Sequence, residues 1–221
     1  YGCDICVGDE GTFIIPFDTY AQALDLLVEA IEKVASTQEF GIALDVAASH
    51  FYDTKTQLYN FEGDYLDAGQ LIDLYKELVV NYPIVSIEDG LAEDDWHGWQ
   101  QLTAQLGSAV QLVGDDLFVT SLDRIERGVY NNVANAVIIK PNQVGTVTQT
   151  LQAIQFGDEN NYSIVISHRS RETEDTFIAD LAIGSSAHQI KAGGLCRSER
   201  IAKYNQLLRV YDWLIGLAGG L

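Results

Sequence analysis

The stretch Ala136–Asn142, AVIIKPN, decides how the chain is read. Four apolar residues, three of them β-branched, run into Lys140, and Pro141 closes the run. A strand buried on both faces reads this way where it surfaces at its C-terminal end, as strands of a helix-covered parallel sheet do. Five other short runs stop at an ionisable residue: Ile42–Asp45 (IALD), Ile84–Glu88 (IVSIE), Val110–Asp115 (VQLVGD), Ser163–His168 (SIVISH) and His188–Lys191 (HQIK). The end residues are separated by 43, 27, 25, 28 and 23 positions. Each interval but the first fits one strand, one helix and two short loops. A barrel of alternating strands and helices carries its site where the strand ends point. Three carboxylates, two lysines and a histidine therefore belong to one polar site gathered by the fold.

Working outward, amphipathic helices are expected between the strands. Leu24, Leu27, Val28, Ile31 and Val34 share one face of a helix that Thr19 and Gln22 open as a capping box and that runs to about Ala35. Further helices are expected over Asp67–Val80, Asp94–Leu106, Leu122–Tyr130, Val147–Phe156, Thr176–Ile183 and Ser198–Leu217. Val7–Pro16 reads as a polar, glycine-rich loop. The segment from Ala47 to Asp64 is an aromatic and polar loop too long for a mere connector.

Composition bounds the rest. A chain of 221 residues with 47% hydrophobic residues can fill one large α/β domain, spanning 1–221. No apolar run reaches the 18 or so residues of a membrane span, and the start carries no signal-peptide pattern. A net charge of −19 with 13 Lys plus Arg argues against nucleic acid as a partner. Cys3, Cys6 and Cys196 form no disulfide framework. Cys3-x-x-Cys6 has the spacing of a redox pair, but with no second CxxC or neighbouring His the three cysteines read as ordinary reduced ones.

Asp45, Glu88 and Asp115 end three successive strands without a His or Cys neighbour. Oxygen-only ligation suits Mg²⁺, which keeps some waters for substrate to replace. Three separately solvated acids would leave the same pattern. Lys140 follows on the next strand. A partly desolvated lysine beside a metal has its pKa lowered and can act as a base, whereas a lysine at a strand end can also simply snorkel. His168, Arg169 and Ser170 sit together on the following loop, where a guanidinium fork and a hydroxyl suit phosphate or carboxylate. Lys191 adds positive charge. A cation, a base and anion-binding groups point to removal of a proton next to a carboxylate.

The same residues carry a resemblance. Gly8–Gly11 (GDEG), Ser86–Asp89 (SIED), Gly114–Thr120 (GDDLFVT), Ile139–Gly145 (IKPNQVG), Ser167–Asp180 (SHRSRETEDTFIAD) and Cys196–Arg209 (CRSERIAKYNQLLR) together resemble the enolase family, in order, over about Val7 to Arg209. A lysine base with Mg²⁺ stabilising an ene-diolate is the known chemistry of that superfamily. The resemblance implies a TIM-type (β/α) barrel, here incomplete, with about six of eight strands and the N-terminal domain absent. It implies the glycolytic dehydration of 2-phosphoglycerate to phosphoenolpyruvate by a cytoplasmic lyase that pairs as a homodimer when full length. Asp45, Glu88 and Asp115 would hold Mg²⁺, with the first acid of Asp115-Asp116 as the ligand. Lys140 would take the C2 proton and Glu10 would protonate the leaving hydroxyl. Arg169 and Ser170 would bind phosphate, Lys191 the carboxylate, and His168 would line the pocket.

The chain departs from the family at Thr12 and Arg171, usually glycines, at His50, usually glutamate, and at Gly193-Gly194-Leu195. Arg171, directly after the phosphate pair, either adds phosphate affinity or obstructs the loop. Two other readings stand beside the enzyme: a non-catalytic derivative that binds Mg²⁺ and anions or a protein partner, and a racemase or cycloisomerase of the same superfamily. The SHRS loop, suited to phosphate, speaks against the racemase. A six-stranded sheet also leaves the strands to Asp45 and to Lys191 as unpaired edges.

Overall fold

The computed structural model describes residues 6–34 and 39–218. Cys3, and with it the Cys3-x-x-Cys6 reading, lies outside them. Six strands form one parallel sheet: β1 (Ile42–Asp45), β2 (Ile84–Glu88), β3 (Gln111–Gly114), β4 (Ala136–Ile139), β5 (Ser163–Ser167) and β6 (Gln189–Lys191). Their spatial order is the sequence order, with β1 and β6 at the two edges. Each strand returns through a helix, as parallel pairing requires.

The sheet curls. Six strands laid flat would set β1 and β6 about 24 Å apart at ~4.8 Å per step. Yet Lys191 Nζ at the end of β6 lies 2.7 Å from Asp45 Oδ2 at the end of β1. This is part of a TIM-type barrel, and the strand ends converge on its concave side.

Strand β4 explains why the AVII run has no alternation. All four of its residues are buried. Val137 and Ile139 join the large core beneath the helices, with Ile87, Leu112 and Ile164. Ala136 and Ile138 pack on the other face with Val113 and Val165. Both faces are dry, so every position must be apolar. Trp99 and Tyr75, each almost fully buried, anchor the helix side.

The helices follow the expected spans closely. They are α1 (Tyr20–Val34), α2 (Ala68–Asn81), α3 (Trp96–Leu106), α4 (Leu122–Tyr130), α5 (Val147–Glu159), α6 (Phe177–Gly184) and α7 (Ser198–Ala218); a single further turn, Pro141–Val144, follows β4. Asp67 closes a reciprocal capping box with Gln70 at α2, and Asp95 caps α3. The box expected at α1 is different: Gln22 Oε1 accepts from the backbone N–H of Asp18, not of Thr19. Two supposed loops are structured. Tyr52–Leu66 forms a three-stranded antiparallel meander whose Tyr52, Tyr59 and Phe61 rings stack with Phe51 and Tyr20. Cys6–Val7 pairs with Phe13–Ile14 as a hairpin that presents Glu10 at its tip. No helix among the described residues is long and apolar enough to cross a membrane.

Candidate active site

A cavity of about 560 Å³ opens at the C-terminal ends of the strands. Of the nine residues expected from sequence, Glu10, Asp45, Asp115, Lys140, His168, Arg169, Ser170 and Lys191 line it; Glu88 lies just behind. Asp45, Glu88 and Lys191 are the last residues of their strands, and Asp115, Lys140 and His168 stand one position beyond theirs. The fold thus gathers a set that spans residues 10 to 191.

Two ion-paired groups organise the floor. Lys191 Nζ donates to Asp45 Oδ2 and to Glu88 Oε1, both at 2.7 Å. Lys140 Nζ donates to Asp115 Oδ2. Burial pushes the Glu88 carboxyl up to about 7; Lys191 opposes that rise, and the charges of Asp45 and Asp115 add to it. Burial alone would lower Lys191, but Glu88 and Asp45 outweigh it and hold the ammonium above its ordinary value. Lys140 is fixed from behind: its backbone N–H donates to Thr120 Oγ1 at 2.9 Å, and that hydroxyl donates to Gln143 Oε1 at 2.6 Å.

The second wall is built by the Glu10 hairpin and the loop after β5. Ser170 Oγ donates to Glu10 Oε1 at 2.8 Å, and His168 Nε2 lies 3.5 Å from Glu10 Oε2. Arg169 Nη1 donates to Asn142 Oδ1 at 2.8 Å, which turns the guanidinium toward the lysine loop. Arg171 and His50 are exposed and line the cavity. The glycines at 193 and 194 are required by this wall. Gly193 has φ +86°, and a Cβ there would sit 2.6 Å from the Glu10 carbonyl oxygen. A Cβ at Gly194 would meet the Gly11 carbonyl oxygen at 2.0 Å. The hairpin docks by a backbone bond from Gly194 N–H to the Glu10 carbonyl at 2.7 Å. Glycine at both positions is therefore what lets the hairpin that carries Glu10 dock this closely.

Two site residues escaped the sequence reading. Asp89, left-handed at φ 44°, accepts the backbone N–H groups of Asp115 at 2.9 Å and Asp116 at 2.8 Å. Its own carbonyl accepts from Ala48 N–H at 3.0 Å, so it ties together the loops after β1, β2 and β3. Burial raises its carboxyl to about 7 against those two hydrogen bonds. Asp89, Asp115 and Asp116 offer oxygens within 4.8 Å of one another, a spacing compatible with a cation. Both Asp89 oxygens are already committed to backbone, however, so Asp89 braces the loop and Asp115 and Asp116 are left to face a ligand. An acid immediately after Glu88 was the available signal. The other residue, Arg200, had none: it lies at the start of a polar helix far along the chain, yet it is fully buried against the site.

The chemistry of the donor set fits a hard divalent cation. One oxygen of Asp115, Oδ1, is buried without a hydrogen-bond partner. The remaining carboxylates are held only by lysine ammonium groups, and no nitrogen or sulfur ligand intrudes. An orphaned buried carboxylate oxygen is costly unless something positive meets it.

Residues 2–218 match the family described as the enolase C-terminal TIM barrel domain. The chain belongs to the enolase family. It is 49% identical over 219 residues to the enolase of Natranaerobius thermophilus, covering 98% of this chain and 51% of that protein. It is 54% identical over 213 residues to the enolase of Legionella pneumophila strain Corby, covering 96% of this chain and 50% of that protein. With the Corynebacterium kroppenstedtii enolase it shares 49% over 215 residues, again 96% and 50%. The chain thus spans about half the length of the curated relatives it matches.

Proposed function

We propose that this chain forms the catalytic half of a phosphopyruvate hydratase, which interconverts 2-phosphoglycerate and phosphoenolpyruvate in glycolysis. The observation that carries this reading is the meeting of a lysine and a carboxyl group on one cavity: Lys140 from the loop after β4 and Glu10 from the hairpin, with Arg169, Ser170 and Lys191 between them. Lys140 removes the C2 proton, and Glu10 donates a proton to the C3 hydroxyl, which leaves as water. Arg169 and Ser170 hold the phosphate. Lys191 faces the carboxylate, whose negative charge grows as the C2 proton departs. His168 closes the wall behind Glu10.

Asp45, Glu88 and Asp115 are the residues that would hold Mg²⁺. Bound there, the ion supplies positive charge where the substrate carboxylate gathers electrons. Lys191 and Lys140 presently neutralise these acids, so metal and substrate binding must redistribute both ammonium groups. A cytoplasmic setting and pairing as a homodimer in the full-length protein belong to the same proposal.

The test is Lys140→Ala in the full-length protein. Turnover to phosphoenolpyruvate, followed at 240 nm, should fall by roughly 10²–10⁴-fold. Mg²⁺ affinity by calorimetry should be kept or rise, because Asp115 loses its ammonium partner. Near-normal turnover would end the role of Lys140 as base. Mg²⁺ and phosphate binding without turnover in the unmodified protein would point instead to a non-catalytic binder.

A further inference from the structure

Arg200 lies at the start of α7, and its guanidinium is fully buried. Burying such a charge without a carboxylate partner is expensive unless every N–H finds an acceptor. Its four terminal N–H groups find them, and Nε alone is buried without a partner. Nη1 donates to the Arg169 carbonyl at 2.8 Å, and Nη2 donates to the carbonyls of Asp9 at 2.9 Å and Ser170 at 2.7 Å. The fourth terminal N–H is directed at His168 Nδ1, 2.5 Å from Nη1. One side chain thus ties the Glu10 hairpin to the loop that carries Arg169 and Ser170.

The contact with His168 has a chemical consequence. A guanidinium has only donors and stays protonated at any accessible pH. A nitrogen facing its N–H at 2.5 Å must therefore offer a lone pair. In a neutral imidazole, the proton then resides on the other nitrogen. We propose that Arg200 is a positioning residue that fixes His168 as the neutral Nε2–H tautomer, with that proton facing Glu10 and the cavity. His168 is then a donor to the pocket and cannot take up a proton there. Becoming imidazolium would require an N–H on Nδ1 directed at the guanidinium.

The surroundings agree. Glu10, Glu172, Lys191 and Arg200 are the charged groups acting on the ring; burial and the two cations hold it down at about 4, against the pull of the two acids. His168 Nε2 lies 3.5 Å from Glu10 Oε2 while Ser170 holds Oε1. For the proposed reaction, on which this part of the inference rests, His168 is therefore not the group that delivers the proton, and that role is left to Glu10. A His168 free to titrate would compete for it.

The tautomer is directly visible in the full-length protein labelled with ¹⁵N-histidine, by long-range proton–nitrogen correlation. The His168 signals are those lost in His168→Gln. Expected is the pattern of a protonated Nε2 and a bare Nδ1, unchanged from pH 8 down to about pH 5. A protonated Nδ1, or charging of the ring near its ordinary pKa of ~6.5, would overturn the inference. Arg200→Lys, which keeps a donor, should retain the pattern. Arg200→Met should release it and bring the ring into titration nearer neutral pH, with kcat lowered ~10–100-fold and KM changed less. An unaltered tautomer in folded Arg200→Met would show that something else fixes the ring. If that variant does not fold, the spectrum of the unmodified protein still decides the tautomer, and Arg200→Lys the identity of the donor. None of these spectra depends on turnover, so failure of the Lys140 reading leaves this test intact.

Discussion

Lys191→Met removes the one cation hydrogen-bonded to Glu88 among the described residues and leaves a carboxyl that is 7% exposed beside Asp45. In the unmodified protein, Glu88 already titrates at about 7 against an ordinary 4.5. A raised carboxyl pKa makes the folded state most stable when the group is protonated, and that contribution is lost as pH climbs through the folded value. Without Lys191 the folded pKa rises further. An ammonium at ~4 Å is worth about 4 kcal/mol at an effective dielectric of 20. Lys191 is 30% exposed, so solvent screening reduces that figure. Even half of it, about 2 kcal/mol, lifts the carboxyl by ~1.5 units, to roughly 8.5. Each pH unit between the two folded values costs the variant about 1.36 kcal/mol relative to the unmodified protein. The deficit should therefore be small at pH 5.5, where Glu88 is protonated in both, and larger by about 2 kcal/mol at pH 8.5. Urea unfolding of the full-length protein and variant in EDTA at the two pH values measures it. An equal deficit at both would refute the view that Lys191 acts by neutralising Glu88.

Glu88→Gln should have opposite effects on stability and on metal. Without metal at pH 8, the amide escapes an ionisation penalty of at most about 3 kcal/mol and should raise the urea midpoint, while Mg²⁺ affinity by calorimetry falls because one anionic ligand is gone. Gly193→Ala places a methyl 2.6 Å from the Glu10 carbonyl oxygen at φ +86°. It should cost about 2 kcal/mol or more by chemical denaturation and lower turnover further by displacing Glu10; unchanged unfolding would mean that the hairpin docks elsewhere.

The inner strands were legible because both of their faces are dry. A run such as AVII or SIVIS must be apolar at nearly every position, and the first ionisable residue then marks where the strand meets solvent; the edge strands, IALD and QIK, are partly exposed and carried a weaker signal. The helices were legible from periodicity, whereas the one cap read from sequence, Thr19 with Gln22, proved to involve Asp18 instead. What escaped was whatever depends on contacts between distant loops. The Tyr52–Leu66 meander is stabilised by rings that meet only after folding. Asp89 is conspicuous only once its carboxylate is seen to hold backbone N–H groups on another strand's loop. Arg200 sits among polar residues at a helix start, and nothing local announces that four acceptors from two other segments will surround it. Gly193 and Gly194 were visible as departures from the family, but their reason lies in the backbone of residues 10 and 11.

The parallel sheet and the cavity wall pose different problems to a growing chain. Each strand pairs with its neighbour in sequence, so the sheet can lengthen one unit at a time. The contacts at its mouth join residues 146, 160 and 191 positions apart: Lys191 with Asp45, Ser170 with Glu10, and Arg200 with Asp9. Each doubling of a closed loop adds only about 0.6 kcal/mol of entropy, so the distance is tolerable at equilibrium. Its penalty falls on time, because contacts this remote form only after nearer ones have brought their partners together. During synthesis at ~5–20 residues per second, Asp9 waits roughly 10 to 40 s before Arg200 exists to bind it. For that interval the Glu10 hairpin has no dock, and its exposed Phe13 and Ile14 are open to any apolar surface nearby.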